Sequence, residues 1–98
     1  MAFDLEFRPD AERDIVEARD WYESQSDGLG QQLVESIDAV ISQIRHRPAM
    51  YAIAKRGVRL ARVPGFPYVI AYLFANEEIK VISVFHGHRD PKTWQSRI

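Results

Sequence analysis

The sequence predicts an α+β fold in which an antiparallel sheet carries a helical hairpin on one face. Four segments alternate apolar and polar residues or are rich in β-branched and aromatic side chains, which is typical of strands. Two segments between the first and second of these repeat apolar residues at intervals of three and four, as amphipathic helices do. The predicted order is therefore β-αα-βββ, and residues 1–98 are expected to form one domain.

The first strand and the first helix follow one another directly. Residues 2–8 place their phenylalanine and leucine side chains on one face of a strand. A helix is predicted to begin at residue 9 or 10 and to extend to about Ser24, because acidic residues in its first turn suit the positive end of the helix dipole. Near its end, Trp21 and Tyr22 are interpreted as core residues.

The second helix follows a turn at residues 26–28, where Asp27 is expected to cap it. Apolar residues recur from Leu29 onward, and basic residues suit the negative end of the helix dipole near His46. Pro48 then stops the helix. The link between the two helices is so short that they are expected to lie antiparallel as an αα-hairpin.

The second half of the chain supplies the other three strands. Residues 48–57 have no clean period and are interpreted as a connecting segment. Three strands are predicted after it, at residues 58–63, 67–76 and 79–85. The last two are separated only by the polar pair Glu77 and Glu78, so they form a hairpin that leads into a segment rich in histidine and charge.

The charges are unevenly distributed along the chain. Residues 1–44 carry three arginines against eleven carboxylates, a net charge of −8, whereas residues 45–98 carry ten cations against three carboxylates, a net charge of +7. This asymmetry predicts an acidic face and a basic face, and the basic face could attract phosphate or an acidic partner. The alternative is that the two halves pair with each other on folding.

The composition excludes several classes of protein. There is no cysteine, so a disulfide framework and a thiolate nucleophile are excluded. The N-terminal residues are acidic and resemble no secretory signal, and the longest apolar run, residues 68–75, is far shorter than the ~20 residues of a membrane span. We therefore expect a cytoplasmic protein without membrane contact.

Several motifs stand in a fixed order along the chain. They are AERDI at residues 11–15, WY at 21–22, Ile44 with RP at 47–48, PY at 67–68 with Tyr72, and VFHGHRDP at 84–91 with Trp94. In these motifs the chain resembles the RelE/ParE superfamily of type II toxin-antitoxin toxins, often called plasmid stabilisation proteins. The resemblance covers nearly the whole chain and implies a growth-inhibiting toxin of this fold.

The resemblance leaves two main targets. RelE-like members cleave mRNA on the ribosome, and that chemistry needs cations and an acid-base group beside one phosphate. Arg89 matches the arginine that such enzymes carry after the last strand, but Trp94 falls near their usual tyrosine and has no ionisable proton. Many relatives of both branches also have arginine where this chain has Val69. ParE-like members bind DNA gyrase and need no catalytic residue, so we favour a ParE-like binding protein over an enzyme.

The candidate site residues follow from these two hypotheses. If the chain is a ribonuclease, the catalytic candidates are Arg89, His86, His88 and Arg62. No metal site is assigned to the histidines with Asp90, because no other cluster of metal-binding side chains is near in sequence. Arg89 and Asp90 could instead form a structural ion pair. No cofactor is expected.

A protein partner is implied more firmly than a substrate. By resemblance, a cognate antitoxin neutralises the toxin in a hetero-oligomer, with a helix in the groove of the helical pair and extended chain along the sheet. The candidate partner-binding residues are Arg59, Arg62, Arg89 and Trp94. Arg59 and Arg62 lie on opposite faces of their strand, so only one should be exposed. Trp94 could also be an apolar anchor for the tail. A fold that binds antitoxin without toxicity is a further alternative.

Overall fold

The computed structural model describes residues 2–88 and 94–98. That part of the chain contains helices α1 (Pro9–Gln25) and α2 (Leu29–His46) and strands β1 (Asp4–Phe7), β2 (Arg59–Arg62), β3 (Tyr68–Ala75) and β4 (Glu78–His86). Short 3-10 turns occupy Lys55–Gly57 and Gln95–Arg97. The predicted α+β class and β-αα-βββ order are confirmed. Within the described residues, neither helix combines the length and apolar content that crossing a bilayer requires.

The four strands form one sheet in the order β1-β4-β3-β2. β2 pairs antiparallel with β3, and β3 pairs antiparallel with β4, as predicted. β1 pairs parallel with β4, so the sheet is mixed, and the expectation of a wholly antiparallel sheet was wrong at this strand.

The path of the helices explains the parallel pair. α1 continues past the end of β1 toward the β2–β3 turn, where the Tyr22 ring lies 5.2 Å from the Phe66 ring. α2 returns to the start of β1, where the Phe3 N–H donates to the Arg45 carbonyl (2.9 Å). The chain therefore reverses between α1 and α2 and again between α2 and β2, which gives β2 the direction of β1. Two further turns then give β4 that same direction.

The two helices cover one face of the sheet, as predicted. Every third or fourth residue of α2 is buried, namely Leu33, Ile37, Val40 and Ile44. They pack with Ala11 and Ala18 of α1 and with apolar residues of β2, β3 and β4 in one cluster. The period that predicted the helix is thus the period of its buried face.

The turn between the helices is held by a different carboxylate from the one expected. Asp27 makes no capping bond, and Gly28, at φ 85°, precedes α2 in the left-handed conformation. The Glu23 carboxylate accepts from the N–H groups of Gly28 (2.8 Å) and Gly30 (3.0 Å). A Cβ at Gly30 would lie 2.5 Å from the Arg19 carbonyl oxygen, so only glycine fits where the helices meet.

The core interpretation of Trp21 was wrong. Its side chain is 49% exposed, while the neighbouring Tyr22 packs inward against Phe66 and Tyr68. Successive helical residues are about 100° apart, so an inward Tyr22 turns Trp21 toward solvent. The Trp21 ring still contacts the edge of the Tyr22 ring, with centroids 4.9 Å apart.

The opposite face of the sheet is covered by the C-terminal residues. Trp94 is 4% exposed and packs in a second apolar cluster with Val58, Ala71, Ile82 and Phe85. The interpretation of Trp94 as an apolar anchor is therefore confirmed. The sheet is apolar on both faces, with the helices on one and the tail on the other.

The tail is also tied to α1 by a partly buried ion pair. The Arg97 guanidinium donates to both carboxylate oxygens of Asp14, at 2.6 and 3.0 Å. Asp14 also accepts from the Val84 N–H (3.0 Å), and Arg97 also donates to the Ile82 carbonyl (3.1 Å). Arg8 in turn donates to the Arg97 carbonyl (3.1 Å).

This network completes the hydrogen bonding of β4 where β1 ends. The last pair of the β1–β4 ladder is Phe7 with Val81, and beyond it β4 is at an edge. The pairing of β4 with β3 skips Ile82, which is a bulge. The polar groups of Ile82 and Val84 that would otherwise lack a strand partner are bonded by Arg97 and Asp14 instead.

A buried tyrosine fixes the segment that connects α2 to β2. The Tyr72 hydroxyl donates to the Pro48 carbonyl (2.6 Å), and the side chain is fully buried. Burial raises the pKa of Tyr72 to about 12; the Arg59 charge lowers this pKa and Tyr51 raises it. Ionisation of Tyr72 in the folded chain therefore requires a pH near 12, whereas in the unfolded chain it occurs near the usual 10.

We expect the stability of the protein to fall at high pH because of Tyr72. Its pKa is higher in the folded chain than the usual 10, so the folded state keeps the proton and the unfolded state loses it first. The stabilisation is fully present below pH ~10 and is lost as pH rises through ~12, by about 2–3 kcal/mol. Urea unfolding at several pH values should show a smaller alkaline loss for Tyr72→Phe than for the wild type. Equal losses would contradict the assignment.

Asp14→Asn is expected to lower the free energy of unfolding by about 2–4 kcal/mol, because it leaves the partly buried Arg97 without its ion-pair partner. Urea denaturation at neutral pH measures the change. Asp10→Asn is the matched control, since the exposed Asp10 carboxylate lies 3.9 Å from Arg97. It should cost less than about 1 kcal/mol. Similar losses for both variants would contradict the role given to Asp14.

Candidate partner-binding surface

A cleft of about 360 Å³ opens at the end of β4, where the chain leaves the sheet. One wall is the β2–β3 turn, which has Gly65 at φ 82°. The other wall is formed by Gly87 and His88, the first residues of the exit segment, as we call residues 87–93 between β4 and Trp94. Arg62, Tyr68 and Val69 line the space between them. A backbone hydrogen bond joins the β2–β3 turn to the exit segment, because the Gly87 N–H donates to the Pro67 carbonyl (2.7 Å).

The two candidate histidines lie together, and His88 lines this cleft. The Tyr68 and His86 rings meet edge to face with centroids 5.5 Å apart, and the His86 and His88 rings are 6.0 Å apart. The His88 N–H lies 3.2 Å from His86 Nδ1, to which it donates. His88 is exposed, whereas His86 is half-buried.

The structure separates the two candidate arginines of β2. The half-buried Arg59 donates to the carbonyls of Ala49 (3.2 Å) and Tyr51 (2.6 Å), so it fastens the connecting segment to the sheet. Arg62 is exposed and forms no ion pair with any residue in 2–88 or 94–98. The prediction that one of the two faces solvent is confirmed, and the exposed one is Arg62.

The other candidates lie apart from this cleft or outside the described residues. Arg89 and Asp90 belong to residues 89–93, so their proposed roles stay predictions. Trp94 is buried in the second apolar cluster. Of the ribonuclease candidates, the structure thus brings Arg62, His86 and His88 together.

The chemistry available at the cleft is limited by Val69. Val69 is the direct cross-strand partner of Arg62, and such side chains lie about 5 Å apart. An arginine there would make a paired cationic site for a phosphate, whereas valine leaves Arg62 as the one guanidinium that lines the described cleft. Over residues 2–88 and 94–98, no three His, Asp or Glu side chains are grouped to hold a metal ion.

The charge asymmetry of the sequence becomes an asymmetry of surfaces. Seven exposed carboxylates lie on the two helices: Asp10, Glu12, Glu17, Asp20, Glu23, Glu35 and Asp38. Between Asp38 and Glu77 the chain has no carboxylate but six cations. In the described ranges, Arg97 is the cation of residues 45–98 that pairs with carboxylates of the first half. Pairing between the halves is therefore confined to the tail, and the outer helical face stays acidic.

Sequence reasoning missed the residues that fix the exit segment. Asp14 and Arg97 are 83 positions apart, and neither stands out by type or spacing. Asp14 does belong to the AERDI motif, but that motif gave no reason to pair it with the tail. Only the three-dimensional arrangement of α1, β4 and the tail assigns these two residues a role.

Comparison with known structures finds this fold in proteins of toxin-antitoxin systems. A chain of the "Chromosomal ParDE TA system from P. aeruginosa" superposes with a TM-score of 0.74 at 17% identity, covering 87% of this chain and 96% of that one. A chain of the RelBE2 toxin-antitoxin complex from Mycobacterium tuberculosis gives 0.62 at 16% identity, with 88% and 99% covered. A mutant of the E. coli toxin RelE in the free state gives 0.61 at 20% identity, with 99% and 94% covered.

The sequence comparisons identify the family. No curated protein matches the chain closely enough in sequence to count as a relative. The family model described as "ParE toxin of type II toxin-antitoxin system, parDE" matches residues 5–91, which include both helices, β2, β3, β4 and all but the first residue of β1. The chain therefore belongs to the ParE toxin family of type II toxin-antitoxin systems, within the RelE/ParE superfamily.

Proposed function

We propose that this chain is a ParE-like toxin that inhibits growth by binding DNA gyrase in the cytoplasm and is neutralised by a cognate antitoxin. The observation that carries the proposal is Val69, the cross-strand neighbour of Arg62 in the lining of the cleft. Stabilising the charge of a phosphate in a transition state takes preorganised cations and donors. The described cleft supplies one guanidinium and an apolar side chain, which suits binding rather than phosphodiester cleavage.

The antitoxin is proposed to bind both the helical hairpin and the edge of the sheet. A helix of the antitoxin would lie on the outer face of α1 and α2, where the exposed Trp21 offers an aromatic contact. Because that face carries the seven exposed carboxylates, the helix bound there should be neutral or basic. Extended chain would run along β2, the edge strand, past Arg62.

A ribonuclease function is the second candidate, and one observation favours it. Arg62 and His88 line the same cleft, so a cation and an acid-base group are within reach of one phosphate. In this case translation would stop first on expression, with transcripts cut inside codons, and His88→Ala or Arg89→Ala would abolish the cutting.

Expression of the chain without antitoxin in a bacterial host separates the candidates. DNA and protein synthesis are followed by separate pulse labels. Gyrase binding predicts that DNA synthesis fails first and that the DNA-damage response rises. Early loss of protein synthesis would support the ribonuclease, and unchanged growth would support an antitoxin-binding module without toxicity.

Arg62→Glu is expected to weaken antitoxin binding about tenfold, because an exposed cation that meets an acidic segment becomes repulsive. Isothermal titration calorimetry on the purified chain measures the affinity. Lys80→Glu, which reverses an exposed charge on β4, is the matched control and should bind as the wild type does. Arg59→Glu should instead lower the melting temperature, because the Ala49 and Tyr51 carbonyls lose their donor. Unchanged affinity of Arg62→Glu would remove this residue from the interface.

A further inference from the structure

A short hairpin with a basic tip precedes β2. The Ala54 N–H donates to the Val58 carbonyl (2.7 Å) and closes this hairpin. Residues 52–57 are all exposed. The tip therefore stands in solvent, and it carries Lys55 and Arg56.

The hairpin tip and the tail form a pocket of about 230 Å³. It is lined by Lys55, Arg56, Gln95 and Ile98, so three of its four side chains carry hydrogen-bond donors and none carries a carboxylate. Neither cation forms an ion pair with a residue in 2–88 or 94–98. The pocket thus offers an anion both positive charge and hydrogen bonds.

The backbone at the tip holds one of these cations in an unfavourable conformation. Arg56 is left-handed, with φ 56° and ψ 34°. A residue with a Cβ is strained there, whereas glycine, which follows at residue 57 with φ 78°, is not. Strain of this kind is often kept at functional sites. Here it places a guanidinium where glycine would suit the turn better.

The pocket lies on the side of the sheet that faces away from the helices. Ile98 packs against the second apolar cluster, which is on the face opposite α1 and α2. The seven exposed helical carboxylates are therefore across the sheet from the pocket. Asp4 and Glu6 belong to β1, which is the edge strand opposite β2. A polyanion that approaches the hairpin tip meets cations and avoids the acidic surface of the helices.

We propose that this pocket binds a phosphate group of the duplex DNA that gyrase holds. The Arg56 guanidinium donates to two phosphate oxygens, the Lys55 ammonium neutralises charge, and the Gln95 amide donates to a further oxygen. The inference rests on the proposed function, which supplies gyrase and its DNA. It adds that the toxin contacts the enzyme and the DNA together, so the toxin binds more tightly when DNA is present.

Other ligands fit this pocket less well. A whole nucleotide is too large, because sites for drug-sized ligands have volumes of roughly 300–1,000 Å³. An acidic segment of a protein would find Ile98 as its one apolar contact in the described lining, whereas protein interfaces are usually centred on buried aromatic anchors. A phosphate of a duplex needs only cations and donors, and the rest of the DNA stays outside the pocket.

Binding of the labelled chain to gyrase, measured by fluorescence anisotropy with and without a linear duplex, tests the inference. At about 50 mM salt the duplex should tighten binding about tenfold, and this gain should shrink at about 200 mM salt because phosphate contacts release counterions. Arg56→Gly removes a cation and suits the left-handed backbone, and Lys55→Glu reverses the other charge. Each variant should lose most of the gain and bind gyrase alone as the wild type does. Lys80→Glu is again the matched control and should keep the gain.

The outcomes separate this inference from the function on which it rests. If the chain binds gyrase equally well with and without the duplex, or if both hairpin variants keep the gain, the phosphate site is wrong and the proposed function stands. If the variants weaken binding to gyrase alone by the same factor, the pocket holds an acidic group of gyrase, and the inference is again wrong. If the chain binds gyrase under neither condition, the proposed function is wrong and the inference fails with it.

Discussion

The structure depends on one carboxylate, that of Asp14, which joins three parts of the chain. It lies on α1 and accepts a hydrogen bond from the Val84 N–H of β4. It also accepts hydrogen bonds from two guanidinium nitrogens of Arg97 in the tail. The helices, the sheet and the C-terminal residues therefore meet at one ion pair. Because this pair stands where β1 stops, it replaces the hydrogen bonds that a longer first strand would have made.

The consequence for the proposed function is that described residues on both sides of the exit segment are anchored. Val84 is held by Asp14 before the segment begins, and Trp94 is buried in the apolar cluster on the far face of the sheet after it ends. The histidines and the candidate Arg89 thus belong to a stretch whose two attachments are set by residues remote from the cleft. Loss of the ion pair should disturb the cleft without changing any of the side chains that line it.

The sequence predicted the elements well and the links between them less well. The bounds of α2 follow from the buried stripe from Leu33 to Ile44, which the three-four spacing shows directly. The parallel placement of β1 was missed because period-two alternation carries no direction. Glu23 replaced Asp27 at the turn because the left-handed Gly28 turns its N–H toward α1, and residue type alone does not report that geometry. The alternation along β2 showed only that Arg59 and Arg62 lie on opposite faces, and the structure was needed to show that Arg62 is the exposed one.

The central claim is that the chain binds gyrase and does not cleave RNA. The most direct measurement adds the purified chain to gyrase and relaxed plasmid, and follows both supercoiling and gyrase-linked DNA breaks. The account predicts that supercoiling is blocked and that cognate antitoxin restores it. Full supercoiling in excess chain, together with codon-internal cutting of mRNA on ribosomes by the same preparation, would contradict the account and assign the cleft at Arg62 and His88 a catalytic role.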